Sequence, residues 1–274
     1  MQVDGIVFDK DGTLLHFGET WNVWCEQVIT QLSAGDVVLR GTIAETIDYD
    51  LQSCSFRPGS LAIAGTTREI SQAIVALLPD MEVTELEAFL NAKSTTAPLA
   101  EVTPLKAFLK GLARSGLKTG VVTNDSEENT LSQLKQVDIV NELSFIAGYD
   151  SGFGAKPSSE PLLAFAKVVS LLPKNIAMVG DSLHDMIAGR RAGMRTIAVL
   201  TGLADPTELA RHADVVLGDI TEIPAYLGLN ELQVWDVSLG KPAIAFQPWL
   251  ECLENGVQIK VLVCGGDGTV GWVL

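Results

Sequence analysis

Basic side chains are in short supply in this sequence: 19 Lys and Arg face 34 Asp and Glu among 274 residues, for a formal net charge of −15. That balance argues against a phosphate backbone as partner, so no nucleic acid is expected to bind, although a local basic pocket can still hold a small phosphate. Long apolar runs are missing too. Hydrophobic residues make up 47% of the chain, yet no uninterrupted span is long enough to cross a bilayer, and no membrane partner is expected. At the N-terminus, Asp4 and Asp9 fall where the apolar part of a signal peptide would lie. The four cysteines (Cys25, Cys54, Cys252 and Cys264) are far apart with no C-x-x-C pair, so neither a zinc site nor a disulfide framework is suggested. Internal repeats and low-complexity segments are likewise lacking. The expectation is a reduced, cytoplasmic protein with enough residues to bury a sizeable core.

What is present is a rhythm. Short apolar runs recur at "GIVF" (5–8), "TGVVT" (119–123), "LSFIAG" (143–148), "IAMVG" (176–180), "TIAVL" (196–200) and "DVVLG" (214–218). Amphipathic stretches such as "PLKAFLKGLARSG" (104–116) and "EPLLAFAKVVSLL" (160–172) separate most of them. Strands alternating with helices and bounded by Gly and Asp predict an α/β fold, a Rossmann-like parallel sheet covered on both faces. One interval breaks the rhythm: from Trp21 to Ala97 there are only helical patterns, which predicts a helical insertion between the first two strands. The expected division is a core from 1–16 and 99–230, an α-helical cap from 17–98, and an appended C-terminal segment from 231–274, where the character of the sequence changes.

Chemistry-bearing residues sit at the strand ends, where open parallel sheets bind their ligands. Asp9 follows "IVF" directly, and Asp11 stands two positions later, a spacing that aims both carboxylates toward one side. Gly12 permits a tight turn and Thr13 can hold it. Two carboxylates there suit a hard cation, with one free to attack or to move a proton; a capped strand end with turn acids also fits. "VVTND" ends a second strand with Thr123 and Asn124, which can offer a hydroxyl and a backbone N–H to an anion, or serve as ordinary loop and cap residues. "GAKPSSEP" places Lys156 in a Gly/Pro-bounded loop. "MVGDSLHDMIAGRRAGM" ends a strand with Asp181 and adds Asp185, where Ser182-x-x-Asp185 also reads as a capping box. Taken together, acids at two strand ends, a hydroxyl at a third and a nearby lysine form a metal-plus-phosphate constellation.

In this order, "DKDGT", "VVTN", "GAKP" and "VGDSLHD" resemble the four motifs of the haloacid dehalogenase superfamily, most closely its phosphoglycolate-phosphatase-like branch with a helical cap. The likeness spans about residues 1 to 229. It implies a Mg²⁺-dependent phosphatase acting on a small phosphorylated metabolite, with phosphomutase or pyrophosphatase as alternatives within the fold. It implies further that Asp9 attacks phosphorus to form an aspartyl-phosphate, while Asp11 protonates the leaving alcohol and then helps to activate water. Thr123 and Lys156 hold phosphoryl oxygens. Asp181 completes the Mg²⁺ site with Asp9 and the backbone carbonyl of Asp11, and Asp185 supports the metal's water shell or Lys156. Lys10 occupies a variable position that often carries an apolar residue, and no role is assigned to it. Substrate choice is expected to lie in the cap, where Arg57 of "SFRPGS" (55–60) either meets a second anionic group or is a solvated surface arginine.

A second Asp-Gly-Thr closes the chain in "VLVCGGDGTVGWVL" (261–274). Gly265 stands two residues before Asp267, where a nucleophilic aspartate would be needed. With "LQVWDVSLGKP" (232–242), this segment resembles part of the diacylglycerol kinase catalytic domain, whose Gly-Gly-Asp-Gly-Thr loop lies against nucleotide phosphates. The family's preceding Asn-Pro-x-Ser-Gly loop is absent. A natural fusion, an artificial chimera and an erroneous gene model fit the segment equally, and so short a stretch cannot build its own core.

Overall fold

This computed structural model describes residues 3–57, 59–229, 261–264 and 270–273. The chain enters through β1 (Gly5–Phe8), whose four residues are all buried. It then leaves for an insertion of five helices: α1 (Phe17–Ser33), α2 (Val37–Thr46), α3 (Leu61–Ala64), α4 (Thr67–Val75) and α5 (Val83–Ser94). A small hairpin, β2 (Tyr49–Asp50) and β3 (Ser55–Phe56), lies between the second and third of these. Strict alternation follows through α6 (Leu105–Arg114), β4 (Lys118–Val122), α7 (Glu127–Gln136), β5 (Phe145–Ala147) and α8 (Glu160–Val168). It continues through β6 (Ile176–Gly180), α9 (Leu183–Ala192), β7 (Arg195–Val199), α10 (Pro206–His212), β8 (Val215–Leu217) and α11 (Ile223–Tyr226).

The six longer strands of this region form one sheet in the order β5-β4-β1-β6-β7-β8, with every pairing parallel. All six apolar runs of the sequence therefore become strands. Their side chains alternate between two hydrophobic layers, as the twofold period of a strand requires. Ile6, Phe8, Val121, Ala177 and Val179 pack with Leu105, Leu109 and Leu112 of α6 on one face. Val7, Val122, Ile176 and Met178 pack with Leu162 and Phe165 of α8 on the other. With both faces covered, the strands have no solvent side, which is why they read as continuous apolar runs.

The insertion has a core of its own. Phe17, Cys25, Val28 and Ile29 of α1 meet Ile43, Ile74, Leu86 and Leu90 from the other inserted helices. Helix starts are marked by local chemistry: Asp36 accepts from the Val38 and Leu39 amides, and Thr66 with Glu69 closes a capping box. The hairpin departs from the all-helical expectation for this stretch. Strands of two residues are too short to show a period, and their stability comes from packing: the Tyr49 and Phe56 rings meet edge to face at 5.1 Å, and Tyr49 Oη donates to the Asn22 carbonyl at 2.9 Å. Among the described residues, no helix is long and apolar enough to cross a membrane.

The chain divides into two units, Met1–Glu231 and Leu232–Leu274. In the second, β9 (Val261–Cys264) and β10 (Val270–Val273) pair antiparallel, with Val261 opposite Val273. The glycine-rich loop between them, residues 265–269, lies outside the described residues, as does the upstream segment 232–242 that resembles a kinase.

The core of the insertion makes a measurable claim. Ile29 is fully buried within it, so Ile29→Ala is expected to cost about 3 kcal/mol through lost burial and a residual cavity. Denaturant unfolding of the two proteins checks this; a loss below about 1 kcal/mol would mean that the inserted helices do not depend on that core.

Candidate active site

The strand order brings the chemistry-bearing residues together. β1 lies between β4 and β6, so Asp9, Thr123 and Asp181 each stand one residue beyond the carboxyl end of three adjacent strands. The ladder carries on into the site, since the Asp9 amide donates to the Val179 carbonyl at 2.8 Å and the Thr123 amide to the Ala147 carbonyl at 3.0 Å. Gly12 turns the chain at φ +76°, and a Cβ there would lie 2.3 Å from Asp181 Oδ2. Only glycine lets the turn come this close to the second strand's acid. Thr13 Oγ1 then donates to Asp181 Oδ1 at 3.2 Å, which ties the turn to it.

Lys156 is the hub of the buried charge. Its Nζ lies 2.8 Å from Asp9 Oδ1 and 2.6 Å from Asp185 Oδ1, and the residue is almost fully buried. Asn124 fixes the lysine's backbone from both sides: its Nδ2 donates to the Lys156 carbonyl at 2.9 Å and its Oδ1 accepts from the Lys156 amide at 2.8 Å. Asp185 serves two purposes at once. Its Oδ2 accepts from the Ser182 amide at 3.0 Å, closing the capping box of α9, while its Oδ1 holds Lys156.

Carboxylate oxygens of Asp9, Asp181 and Asp185 lie within 4.8 Å of one another. Burial, followed by the negative charge of Asp185, pushes the Asp9 carboxyl up to about 7. Burial and the charge of Asp9 raise the Asp181 carboxyl well above the usual carboxylate range. Burial opposes the Lys156 charge, but Asp185 and Asp9 outweigh it and raise the lysine's pKa. Three clustered carboxylates against one lysine leave surplus negative charge among hard oxygen donors, and such a donor set fits a divalent cation of the Mg²⁺ kind. The carboxylate of Asp11 does not join this group; its two oxygens are turned elsewhere.

They are turned to a second cluster, centred on Lys10. This side chain is fully buried, which is almost never seen for lysine without partners. Its Nζ lies 2.7 Å from Asp11 Oδ2 and 3.0 Å from Asp125 Oδ2, donates to Gln133 Oε1, and sits 5.4 Å from the centre of the Trp21 ring. Trp21, on α1 of the insertion, donates from Nε1 to Asp11 Oδ1 at 2.8 Å, so both oxygens of Asp11 are held. Burial opposes the charge on Lys10, but Asp11 and Asp125 outweigh it and hold the ammonium form. Lys10, Trp21, Asp125 and Gln133 are the residues that sequence reasoning passed over. A signal existed for the first: Lys10 stands between two acids, two residues past the end of a buried apolar strand, where a lysine needs partners.

Beside the two clusters is a cleft lined by Asp9, Asp11, Thr123, Asn124, Lys156 and His184 from the core and by residues of the insertion. Arg57 is not among its lining residues. Its side chain is half exposed and lies 3.7 Å from Asp50, so the structure does not bring it to the other predicted site residues.

Comparison with known proteins gives the family. The family model described as haloacid dehalogenase-like hydrolase matches residues 6–199. The chain belongs to this family. Among curated relatives of this haloacid dehalogenase-like protein, a phosphoglycolate phosphatase of Neisseria meningitidis is 36% identical over 132 residues, covering 47% of the chain and 55% of that protein. The chain thus spans about half the length of this relative. An N-acetylmuramic acid 6-phosphate phosphatase of Pseudomonas putida is 25% identical over 234 residues, covering 81% of the chain and 95% of that protein. Solved structures share the haloacid dehalogenase-like fold. CbbY from Rhodobacter sphaeroides superposes with a TM-score of 0.59 at 18% identity, covering 83% of this chain and all of that one. A β-phosphoglucomutase from Clostridium difficile gives 0.58 at 16% identity, covering 82% and 97%.

The Lys10 cluster carries its own test. Lys10→Met removes the charge between two carboxylates, so it is expected to destabilise the fold by about 3 kcal/mol. Adding Asp125→Asn should recover part of the loss, because it removes the repulsion that Lys10 had masked. Denaturant midpoints of the two single variants and the double variant check this; strictly additive losses would contradict the pairing.

Proposed function

We propose that this protein is a Mg²⁺-dependent phosphatase that hydrolyses a small phosphomonoester through Asp9. The observation that carries the reading is the joining of Asp9, Lys156, Asp181 and Asp185 in one buried cluster, of which Asp9 and Lys156 line a cleft. Phosphoryl transfer needs charge neutralisation and alignment more than elaborate covalent chemistry, and this cluster offers both. The family membership supports it, as do the names of relatives: phosphoglycolate phosphatase, N-acetylmuramic acid 6-phosphate phosphatase and pyrophosphatase. Those names share the phosphoryl group and differ in what carries it.

In the proposed reaction Lys156, Thr123 and the Asn124 backbone bind the transferring phosphoryl oxygens. An oxygen of Asp9 bonds to phosphorus as the bond to the leaving oxygen breaks, and Asp11 gives that oxygen a proton. Asp11 then takes a proton from water as the water attacks phosphorus, the bond to Asp9 breaks and inorganic phosphate departs. Asp9, Asp181 and the backbone carbonyl of Asp11 would hold the Mg²⁺, with Asp185 supporting it through Lys156. The cation would supply charge neutralisation to the phosphoryl oxygens. Trp21 orients Asp11 from the insertion, so the acid is set only when the insertion lies against the core. The partner is a small phosphorylated metabolite, neither nucleic acid nor membrane, and the cytoplasm is the expected compartment.

Asp9→Asn keeps the volume and removes the attacking charge, so phosphate release is expected to stop while the melting temperature is held or raised. Chelation with EDTA should abolish release by the unaltered protein, and Mg²⁺ should restore it. Wild-type rates from Asp9→Asn would sink the mechanism. Asp11→Asn should slow alkyl phosphates at least about tenfold more than 4-nitrophenyl phosphate, whose leaving group needs no proton. Equal losses across a leaving-group series would count against Asp11 as the acid, and return of the phosphoryl group to substrate instead of water would favour a phosphomutase.

A further inference from the structure

We infer that the substrate of this site carries its phosphoryl group on an uncharged, largely apolar alcohol, and not on a group bearing a second negative charge. The inference rests on the phosphatase reading above and concerns the part of the cleft that would surround the leaving group. On the side of the insertion the wall is aromatic and aliphatic: Trp21 and Trp24, whose rings meet edge to face at 5.2 Å, with Phe56, Ile63, Ile70 and Leu90. The hydroxyl-bearing residues that interrupt it are Thr67 and Ser94, which are uncharged. Such a wall gains by covering hydrocarbon and cannot repay the desolvation of an anion.

The distribution of charge agrees. Residues 17–98 contain four basic side chains, Arg40, Arg57, Arg68 and Lys93, against eleven acidic ones. None of the four lines the cleft. Arg40 pairs with Glu26, Arg57 with Asp50 and Arg68 with Glu87, while Lys93 lies 5.8 Å from the Phe89 ring centre. On the core side Lys156, paired with Asp9 and Asp185, is the group assigned to the transferring phosphoryl itself, and the buried Lys10 is held by Asp11 and Asp125 and does not line the cleft. His184, which also lines the cleft, already has a partner within the fold. A second anionic group on the substrate, such as a carboxylate or another phosphate, would enter a negatively charged insertion with no basic side chain from that insertion to meet it.

The test compares hexyl phosphate and benzyl phosphate with methyl phosphate, 2-phosphoglycolate and pyrophosphate, using the full chain with Mg²⁺. The alkyl and benzyl leaving groups have similar acidity, so differences among them report contact with the wall. Hexyl and benzyl phosphate are expected to exceed methyl phosphate, phosphoglycolate and pyrophosphate in kcat/KM by at least about tenfold. Trp24→Ala should lower the hexyl-to-methyl ratio of kcat/KM at least about fivefold, chiefly through KM. The comparison on the unaltered protein decides the matter even if that variant does not fold. Phosphate release that is as fast or faster from phosphoglycolate or pyrophosphate overturns the inference and leaves the phosphatase reading standing. Release from none of the five overturns both.

Discussion

Five carboxylates crowd the carboxyl ends of neighbouring strands, and like charges held this close in a buried place repel unless cations sit among them. Two lysines meet that demand. Lys156 stands between Asp9 and Asp185, and Lys10 between Asp11 and Asp125. The lysines do not balance the acids, and the surplus falls on the Asp9–Asp181–Asp185 side, where burial already drives the Asp9 carboxyl up to about 7. Under the proposed function, that surplus is the charge a divalent cation would neutralise.

The rest of the fold is arranged to bear that cost. The central position of β1 between β4 and β6 brings three strand ends to one point. Layers of aliphatic residues on both faces of the sheet keep the strands from moving apart under the repulsion. Gly12 allows the first turn to approach Asp181, and Asn124 clamps the loop that presents Lys156. The insertion contributes on its own account: through the bond from Trp21 to Asp11, a helix outside the sheet reaches the residue assigned to proton transfer.

Much of this was legible in the sequence. Six apolar runs mark six strands because a sheet covered on both faces needs apolar residues in every position, and Asp9, Thr123, Lys156, Asp181 and Asp185 could be gathered because ligands of such sheets sit at strand ends. The Lys10 cluster was not legible as a cluster. Its partner Gln133 is 123 residues away in the chain, and no local period announces a pair that exists only once β1 and α7 are neighbours. The hairpin of Tyr49 and Phe56 is too short to show alternation, and the lining of the cleft is a property of five inserted elements together. Arg57 shows the reverse: a plausible anion-binding residue by type, it is drawn to Asp50 on the outer side of the hairpin. The second Asp-Gly-Thr lies outside the described residues.

The central claim is that the buried cluster exists to pass a phosphoryl group through Asp9. Acid quench of the protein during turnover of a phosphate ester, followed by borohydride reduction and peptide mass spectrometry, tests it most directly, because reduction converts a phosphorylated aspartate to homoserine. The account predicts homoserine at position 9, dependent on Mg²⁺ and on substrate. Rapid phosphate release without conversion at position 9, or conversion at another aspartate, would contradict it.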